Sequence, residues 1–179
     1  MPRRYSKRTI IVRKPKVKWS PHMETVDYQV TMASGSHFVF YPHVVAANAT
    51  DSHLPSVPVV QATRINFQGQ LGISGITSFD WFVYIIYVPE GMDAGLATVD
   101  NWIAFINQHP EYIMVRRIVE PGDISQNAST TVSIQTRMKR NLNSGDQVVL
   151  LFIGHSSSTP SSDRPIPIYG QLSYYTKVN

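Results

Sequence analysis

The stretch TTVSIQTRMKRNLNSGDQVVLLFIG, residues 130–154, decides the fold of this chain. Its first half alternates apolar and polar side chains from Val132 to Met138, which is the period of a half-buried β-strand. The connection over residues 141–146 is dense in residues that tolerate turn dihedrals, and Gly145 is the one we expect at positive φ. The second half, Val148–Ile153, is apolar at every position, so both of its faces must be covered. We therefore predict that two layers of one domain, or a neighbouring subunit, enclose this strand.

The composition of the whole chain favours β-structure. It is rich in Val, Ile, Thr, Ser, Tyr and Phe and holds 12 Pro and 10 Gly, which fits short strands separated by turns. Turn-forming residues divide the chain into eight predicted strands: residues 25–32, 37–45, 61–73, 80–88, 111–119, 130–138, 147–154 and 168–177. Eight strands without alternating helices leave a sandwich, a jelly roll or a closed barrel.

One segment, residues 98–109, breaks the β pattern. Its apolar residues recur at helical spacing, Thr98 can cap the first turn, and Pro110 stops the helix. We predict one short helix in a loop, lying over one edge or end of the sheets. The aromatic run in residues 79–88 is predicted to serve the core and subunit contacts, rather than to form a platform on which nucleic-acid bases stack.

The charge of the chain is divided sharply. The net charge is +4, yet eight of the 16 basic residues precede Trp19 and no acidic residue occurs before Glu24. The other eight basic residues are outnumbered by all 12 acidic residues, so the remainder of the chain carries −4. Residues 1–18 hold too few apolar side chains to fold alone, and we predict a disordered basic arm. Its basic residues are Arg3, Arg4, Lys7, Arg8, Arg13, Lys14, Lys16 and Lys18.

We predict that all eight of these residues bind nucleic acid through phosphate contacts, which need positive charge but no fixed geometry. A solvated tail and a targeting peptide are the alternatives. Four of the eight also match a short nuclear-import signal, and one segment can serve both purposes: Arg13, Lys14, Lys16 and Lys18. We expect the body to contribute little to binding, although Arg137, Lys139 and Arg140 could extend the basic surface.

The sequence offers little catalytic or metal chemistry. It contains no cysteine, and its six histidines show neither helical pairing nor a neighbouring carboxylate at ligand spacing. No phosphate-binding loop, nucleophile elbow or carboxylate pair is present. We therefore expect no catalytic residues, no cofactor and no metal, and hence no enzyme. We also expect no membrane insertion, because no apolar run is long enough to span a bilayer, and no secretory signal, because no apolar core follows the basic N-terminus.

Three motifs resemble those of the capsid proteins of small circular, Rep-encoding single-stranded DNA viruses, the circovirus-like group. The first is the Arg/Lys arm that opens MPRRY at residues 1–5. The second is the strand that ends YVPEG at residues 87–91. The third, and the most specific, is RNLNSGD at residues 140–146, leading into an apolar strand. The motifs lie in the expected order and span most of the chain.

The resemblance implies a basic arm over residues 1–18 and a single eight-stranded jelly roll of the viral capsid type over residues 19–179. It implies a structural protein that forms a small icosahedral, T=1-like shell of about 60 copies. The implied partners are copies of the chain, a viral single-stranded genome (most simply DNA), a host import receptor and a cell-surface receptor. The implied locations are the virion and, during assembly, the host nucleus.

Two other interpretations stay open at this stage. The coat protein of a small RNA or satellite virus would show the same physical features. A non-capsid module that binds single-stranded nucleic acid would instead carry a basic groove on its body.

Overall fold

The computed structural model describes residues 18–48, 59–72, 79–92, 95–119 and 129–178. The strands in these residues are β1 (Ser20–Met32), β2 (Phe38–Ala47), β3 (Val60–Gly72), β4 (Phe79–Val88), β5 (Ile113–Val119), β6 (Ser129–Thr136), β7 (Arg140–Leu142), β8 (Gln147–Ser156) and β9 (Arg164–Val178). Helix α1 (Val99–Gln108) and the 3-10 turn Pro110–Tyr112 lie between β4 and β5. All eight predicted strands are present, and among the described residues the one strand that the prediction missed is the short β7.

The strands form two antiparallel sheets in jelly-roll order. One sheet has the order β1-β9-β3-β6, with β7 also paired to β3, and the other has the order β2-β8-β4-β5. Chain neighbours such as β1 and β2, or β3 and β4, therefore lie in opposite sheets. This is the double Greek-key arrangement of a jelly roll. Of the three predicted architectures, the strand order selects this one.

The strand β8 is covered on both faces, as predicted. Val148, Leu150 and Phe152 point into the core between the sheets, where the Phe152 ring meets the edge of Phe67 at 5.3 Å between centroids. Val149, Leu151 and Ile153 point to the other side and are also buried. The second covering layer is helix α1 of the same chain. In the described residues this strand therefore needs no neighbouring subunit.

Helix α1 lies on the outer face of the β2-β8-β4-β5 sheet, so the predicted position at an edge or end is wrong. Trp102 and Phe105 bury their rings against the outward side chains of β4 and β8, which include Ile86 and Val88 of β4. The predicted cap is confirmed, because Thr98 Oγ1 accepts a hydrogen bond from the Asn101 backbone N–H at 3.3 Å. The helix is placed there because β4 and β8 are apolar on both faces.

The aromatic run in β4 serves the core, as predicted. Trp81 is fully buried between the sheets, whereas Phe82 and Tyr84 are partly buried beside helix α1. Tyr87 packs partly against the core between the sheets. The predicted subunit contact of this run stays a prediction.

The strand β9 begins four residues before its predicted start. Pro165 and Pro167 discourage a strand prediction because proline cannot donate a ladder hydrogen bond. In the structure these two residues pair with β1 only, since the pairing of β9 with β3 begins at Ile168. Proline is therefore tolerated there, on a segment with one open side.

Candidate nucleic-acid interface

Most of the predicted binding residues lie outside the described residues. This applies to Arg3, Arg4, Lys7, Arg8, Arg13, Lys14 and Lys16, and therefore to most of the predicted import signal. Lys18 is described and exposed. It stands two residues before β1, so the predicted arm joins the body at one end of the β1-β9-β3-β6 sheet.

The same end of the sheet contains a break in strand pairing. The strand β3 pairs with β6 on one side of the break and with β7 on the other, so residues 63–64 lie opposite residues 137–139. The Thr63 hydroxyl crosses the break and donates a hydrogen bond to the Arg137 carbonyl oxygen at 3.1 Å. The alternation predicted to continue through Met138 is wrong at that residue, which is 45% exposed, because β6 ends at Thr136.

The break coincides with a bulge that reorients Arg64. The register between β3 and β9 shifts between Thr63 and Asn66, and Arg64 adopts a φ of +53°, in the left-handed region. Bulges of this kind redirect side chains. Arg64 is exposed, and its guanidinium carbon lies 5.8 Å from the centre of the Tyr175 ring on β9.

Two further cations lie over the ring of Trp19. The Nζ atoms of Lys177 and Lys139 lie 5.3 Å and 5.9 Å from the centre of its ring. Both distances are within the range of cation–π attraction, worth about 0.5–1 kcal/mol at exposed sites. Trp19 is half-buried, and it lies beside Lys177 because the neighbouring residue Ser20 pairs with Thr176.

We name this group the basic-aromatic cluster: Trp19, Arg64, Arg137, Lys139, Tyr175 and Lys177. A cleft of about 300 Å³ opens among all of these residues except Lys177 and also contacts Thr63. The two ion pairs found in the described residues, His43–Glu24 and His109–Glu111, involve no member of the cluster. Among the described residues, the four cations therefore have no acidic partner at ion-pair distance, and such a group of cations suits contact with a polyanion.

Beyond the cluster, the outer face of the β1-β9-β3-β6 sheet is largely polar and almost uncharged, and Met23 and Tyr169 are exposed on it. Its rows are set by strand register, which aligns Gln171 with both Thr25 and Gln68. Among the described residues of this face, Asp27 is the only acid. The outward amide and hydroxyl side chains include Thr25, Gln29, Thr31, Asn66, Gln68, Gln70, Ser129, Thr131, Ser133, Gln135, Gln171 and Ser173.

The sequence suggested three cations as an extension of the basic surface of the arm, and the structure places them in two different environments. Arg137 and Lys139 belong to the cluster. Arg140 instead donates a 2.9 Å hydrogen bond from an Nη atom to the Glu111 carbonyl oxygen and lies over the Tyr87 ring. We assign Arg140 to the packing of the body.

Sequence reasoning missed the other members of the cluster because they come from distant parts of the chain. Arg64 is an isolated cation in a predicted strand, and Lys177 and Tyr175 lie in the last strand. No local spacing links them to Trp19. Only the pairing of β9 with both β1 and β3 brings them together.

Two features are absent from the described part of the chain. Within residues 18–48, 59–72, 79–92, 95–119 and 129–178, no three His, Asp or Glu side chains are placed to share a metal ion. In the same residues no helix combines the length and apolarity needed to cross a bilayer.

The strand order and the cluster together define a jelly-roll protein with a cationic, aromatic patch at one end of a polar sheet face. No protein-family model matches the chain, and no curated protein matches it either.

Solved structures from several viruses are similar to the chain at low identity. The structure of infectious bursal disease virus, Gx strain, aligns with 98% of this chain and 41% of its own chain, at 12% identity and a TM-score of 0.40. The Desmodium yellow mottle tymovirus structure aligns with 98% of this chain and 97% of its own, at 14% identity and a TM-score of 0.33. The 60-mer capsid protein of beak and feather disease virus, a circovirus, aligns with 93% of this chain and 96% of its own, at 9% identity and a TM-score of 0.38.

The chain spans 32–41% of the length of the infectious bursal disease virus chains that it matches. At TM-scores of 0.40 and below, these similarities assign neither function nor assembly to this chain. The jelly-roll assignment rests on the strand order alone.

Proposed function

We propose that this chain is the structural capsid protein of a small virus. In this proposal residues 19–179 form the jelly-roll domain that assembles into a T=1-like shell of about 60 copies. Residues 1–18 form the basic arm that packages a viral single-stranded DNA genome. The protein is not an enzyme, and it resides in the virion and, during assembly, in the host nucleus.

One observation carries the proposal. The jelly roll is preceded, before β1, by a segment with eight basic residues and no acid, and the junction lies beside four more cations that form no ion pair with a described acidic residue. A shell protein needs both a folded body and a cationic segment, because the body contacts other copies and the cationic segment neutralises phosphate. The resemblance of RNLNSGD and its companion motifs to circovirus-like capsid proteins supports the same proposal.

Assembly is tested by electron microscopy and light scattering on the purified full chain. We expect uniform closed particles. A single monomeric species at low and high salt, with and without nucleic acid, would contradict the proposal. Nuclease digestion of the contents of particles from infected or transfected cells then separates a DNA genome from an RNA genome, the latter being expected for the RNA- or satellite-virus alternative.

The arm is tested by binding a fluorescent single-stranded oligonucleotide over a range of salt concentrations. Each phosphate contact on a single strand contributes a log–log slope of about −0.7, so eight contacts contribute roughly −5 to −6. Replacing the eight basic residues of the arm with Gln in the full chain should remove that part of the slope. An unchanged slope would exclude the arm as a binding element.

Nuclear import is a separate part of the proposal. The basic cluster at residues 13–18 has the composition of a short import signal that a host import receptor recognises. Residues 1–20 fused to a fluorescent cargo should carry it into the nucleus. The matched control replaces Arg13, Lys14, Lys16 and Lys18 with Gln and should leave the cargo in the cytoplasm. Cytoplasmic retention of both fusions would refute the signal.

The second candidate function is a non-capsid module that binds single-stranded nucleic acid. The cluster on the body favours it, because such a module needs cations and aromatic rings on its folded surface. The two candidates differ in assembly. Nucleic-acid binding without particles, under all the conditions above, would favour the module.

A further inference from the structure

We propose that the basic-aromatic cluster is itself a binding site for single-stranded nucleic acid, in which Trp19 stacks on an unpaired base and the four cations contact the adjoining phosphates. The inference rests on the proposed function, since it places part of the genome contact on the jelly roll. It departs from the expectation that the body contributes little to binding.

The charges of the cluster call for an anionic ligand. Arg64, Arg137, Lys139 and Lys177 come from three separate parts of the chain and converge at one break in the sheet. Like charges held close to one another repel. Phosphate oxygens remove that repulsion, and a nucleic-acid backbone supplies them at regular intervals.

The backbone at Arg64 points to a role for its side chain. A non-glycine residue at a φ of +53° carries a steric cost that glycine avoids. The register shift beside it turns this residue outward, over the face of Tyr175. A strained position that presents a guanidinium beside an aromatic ring on the surface is a feature typical of binding sites.

The aromatic rings select for unpaired bases. Trp81 and Trp102 are 0% and 3% exposed, whereas Trp19 is half-buried and lines the open cleft with Tyr175. Any base can stack on such a ring, but a base within a duplex is already stacked on both sides. The polar, almost uncharged sheet face next to the cluster offers amides and hydroxyls to the bases and sugars of the following nucleotides.

The position of the arm favours nucleic acid over an acidic protein surface. Lys18, the last residue of the proposed arm, precedes Trp19 of the cleft, so nucleic acid bound at Lys18 would lie next to the cleft. An acidic patch of a second copy is the competing occupant, because the chain beyond the arm carries a net charge of −4. The experiment separates the two.

The experiment measures tryptophan fluorescence of the full chain during titration with single-stranded oligothymidylate, with light scattering recorded on the same samples. The chain has three tryptophans, and two of them are buried. We expect saturable quenching by the single strand and markedly less by a duplex of equal length. The Trp19→Phe variant should lose the quenching but, with its ring still able to stack, should bind a fluorescent oligonucleotide more tightly than Trp19→Ala, which should bind it about 10-fold more weakly than the wild type.

Two paired charge variants complete the test. Lys139→Gln with Lys177→Gln should reduce the log–log salt slope by about 1.4, the contribution of two phosphate contacts. Arg116→Gln with Arg117→Gln, on exposed positions of β5 in the other sheet, is the matched control and should leave the slope unchanged. Chemical denaturation of every variant verifies that each is folded.

The outcomes are distinct. Two results would overturn the inference and leave the arm proposal intact. One is oligonucleotide binding with the full arm-dependent salt slope but without Trp19 quenching. The other is an equal salt slope for the two charge variants. A cluster variant that alters particle formation while leaving oligonucleotide binding unchanged assigns the cluster to a contact between copies and also overturns it. If the wild-type chain forms no particles but still shows Trp19 quenching, the capsid proposal is contradicted and the nucleic-acid site at the cluster is supported.

Discussion

The hydroxyl of Tyr87 in β4 donates a 2.7 Å hydrogen bond to Oδ2 of Asp146, the residue immediately before β8. The same carboxylate accepts hydrogen bonds from the backbone N–H of Asn143 at 2.8 Å and of Glu90 at 3.0 Å. Asp146 is only 4% exposed. One buried carboxylate therefore fixes both the turn that precedes β8 and the turn that follows β4. The neighbouring Gly145 has a φ of +80°, which confirms the positive φ predicted for it in the turn before β8.

The Asp146→Ala variant should lose about 3 kcal/mol of unfolding free energy. The substitution leaves a hydroxyl and two backbone N–H groups without their acceptor at a buried position. Urea denaturation measures the loss. Asp163→Ala is the control, because this exposed carboxylate accepts a single hydrogen bond from Ser34 N–H at 2.9 Å, and a change of at most about 0.5 kcal/mol is expected. Equal losses would contradict the role of Asp146.

The stability of the protein should fall between pH 10 and about pH 12 through Tyr87. Burial, followed by the hydrogen bond to Asp146 and its negative charge, raises the pKa of Tyr87 from 10.0 to about 12. The folded state therefore keeps a proton that the unfolded state loses above pH 10, so the contribution is complete below pH 10 and declines as the pH rises towards 12.

The measurement for Tyr87 is the unfolding free energy of the wild type minus that of Tyr87→Phe, recorded from pH 9 to pH 12. The difference should be about 1 kcal/mol at pH 9 and should shrink steadily as the pH rises. In the Asp146→Ala background the same difference should depend less on pH, since two of the three largest causes of the shift are gone. A difference that grows with pH would refute the assignment.

The Gly170→Ala variant should be destabilised by about 2–3 kcal/mol. Gly170 and Gly69 face each other across β9 and β3, and the Phe67 ring lies over both. A methyl group on Gly170 would approach the Gln68 carbonyl oxygen and the Phe67 ring to 2.6 Å. Gly95→Ala, at an exposed position with no atom within 4 Å of the added carbon, is the control and should change stability by about 0.5 kcal/mol or less. Thermal or urea denaturation compares the two.

Substitutions of Arg64 should separate stability from binding. The Arg64→Gly and Arg64→Ala variants both delete one cation, so each should reduce the salt slope of oligonucleotide binding by about 0.7 if the cluster contacts phosphate. The glycine variant should be about 1 kcal/mol more stable than the alanine variant, because alanine keeps the steric cost of a φ of +53°. At Arg137, whose φ is not positive, alanine should be at least as stable as glycine. The same stability order at both positions would argue against strain at Arg64.

The two sequence motifs that predicted β8 and α1 succeeded for a local reason. An apolar residue at every position of Val148–Ile153 demands two covering layers, and the amphipathic spacing of residues 98–109 supplies one of them. The sequence could not place the helix on the outer face, because edge, end and face require the same apolar side chains. The pairing of β8 with β2 and β4 decided the position of the helix.

The candidate site divides in the same way. The sequence reveals the arm because its eight basic residues all lie within the first 18 residues. The cluster next to the arm joins residue 19 to residues 64, 137, 139, 175 and 177, which are too far apart in the sequence to form a recognisable pattern.

The sequence by itself determined what depends on neighbours along the chain. This covers the existence of every described strand except the short β7, the capped helix, the turn glycine Gly145 and the charge division at Trp19, because period, turn chemistry and charge density are local properties. Only the tertiary structure decided the jelly-roll strand order among the three possible architectures, the left-handed conformation of Arg64 and the convergence of its cluster. These features depend on which strands pair and in which register, and many pairings satisfy the same apolar pattern until the whole core is packed.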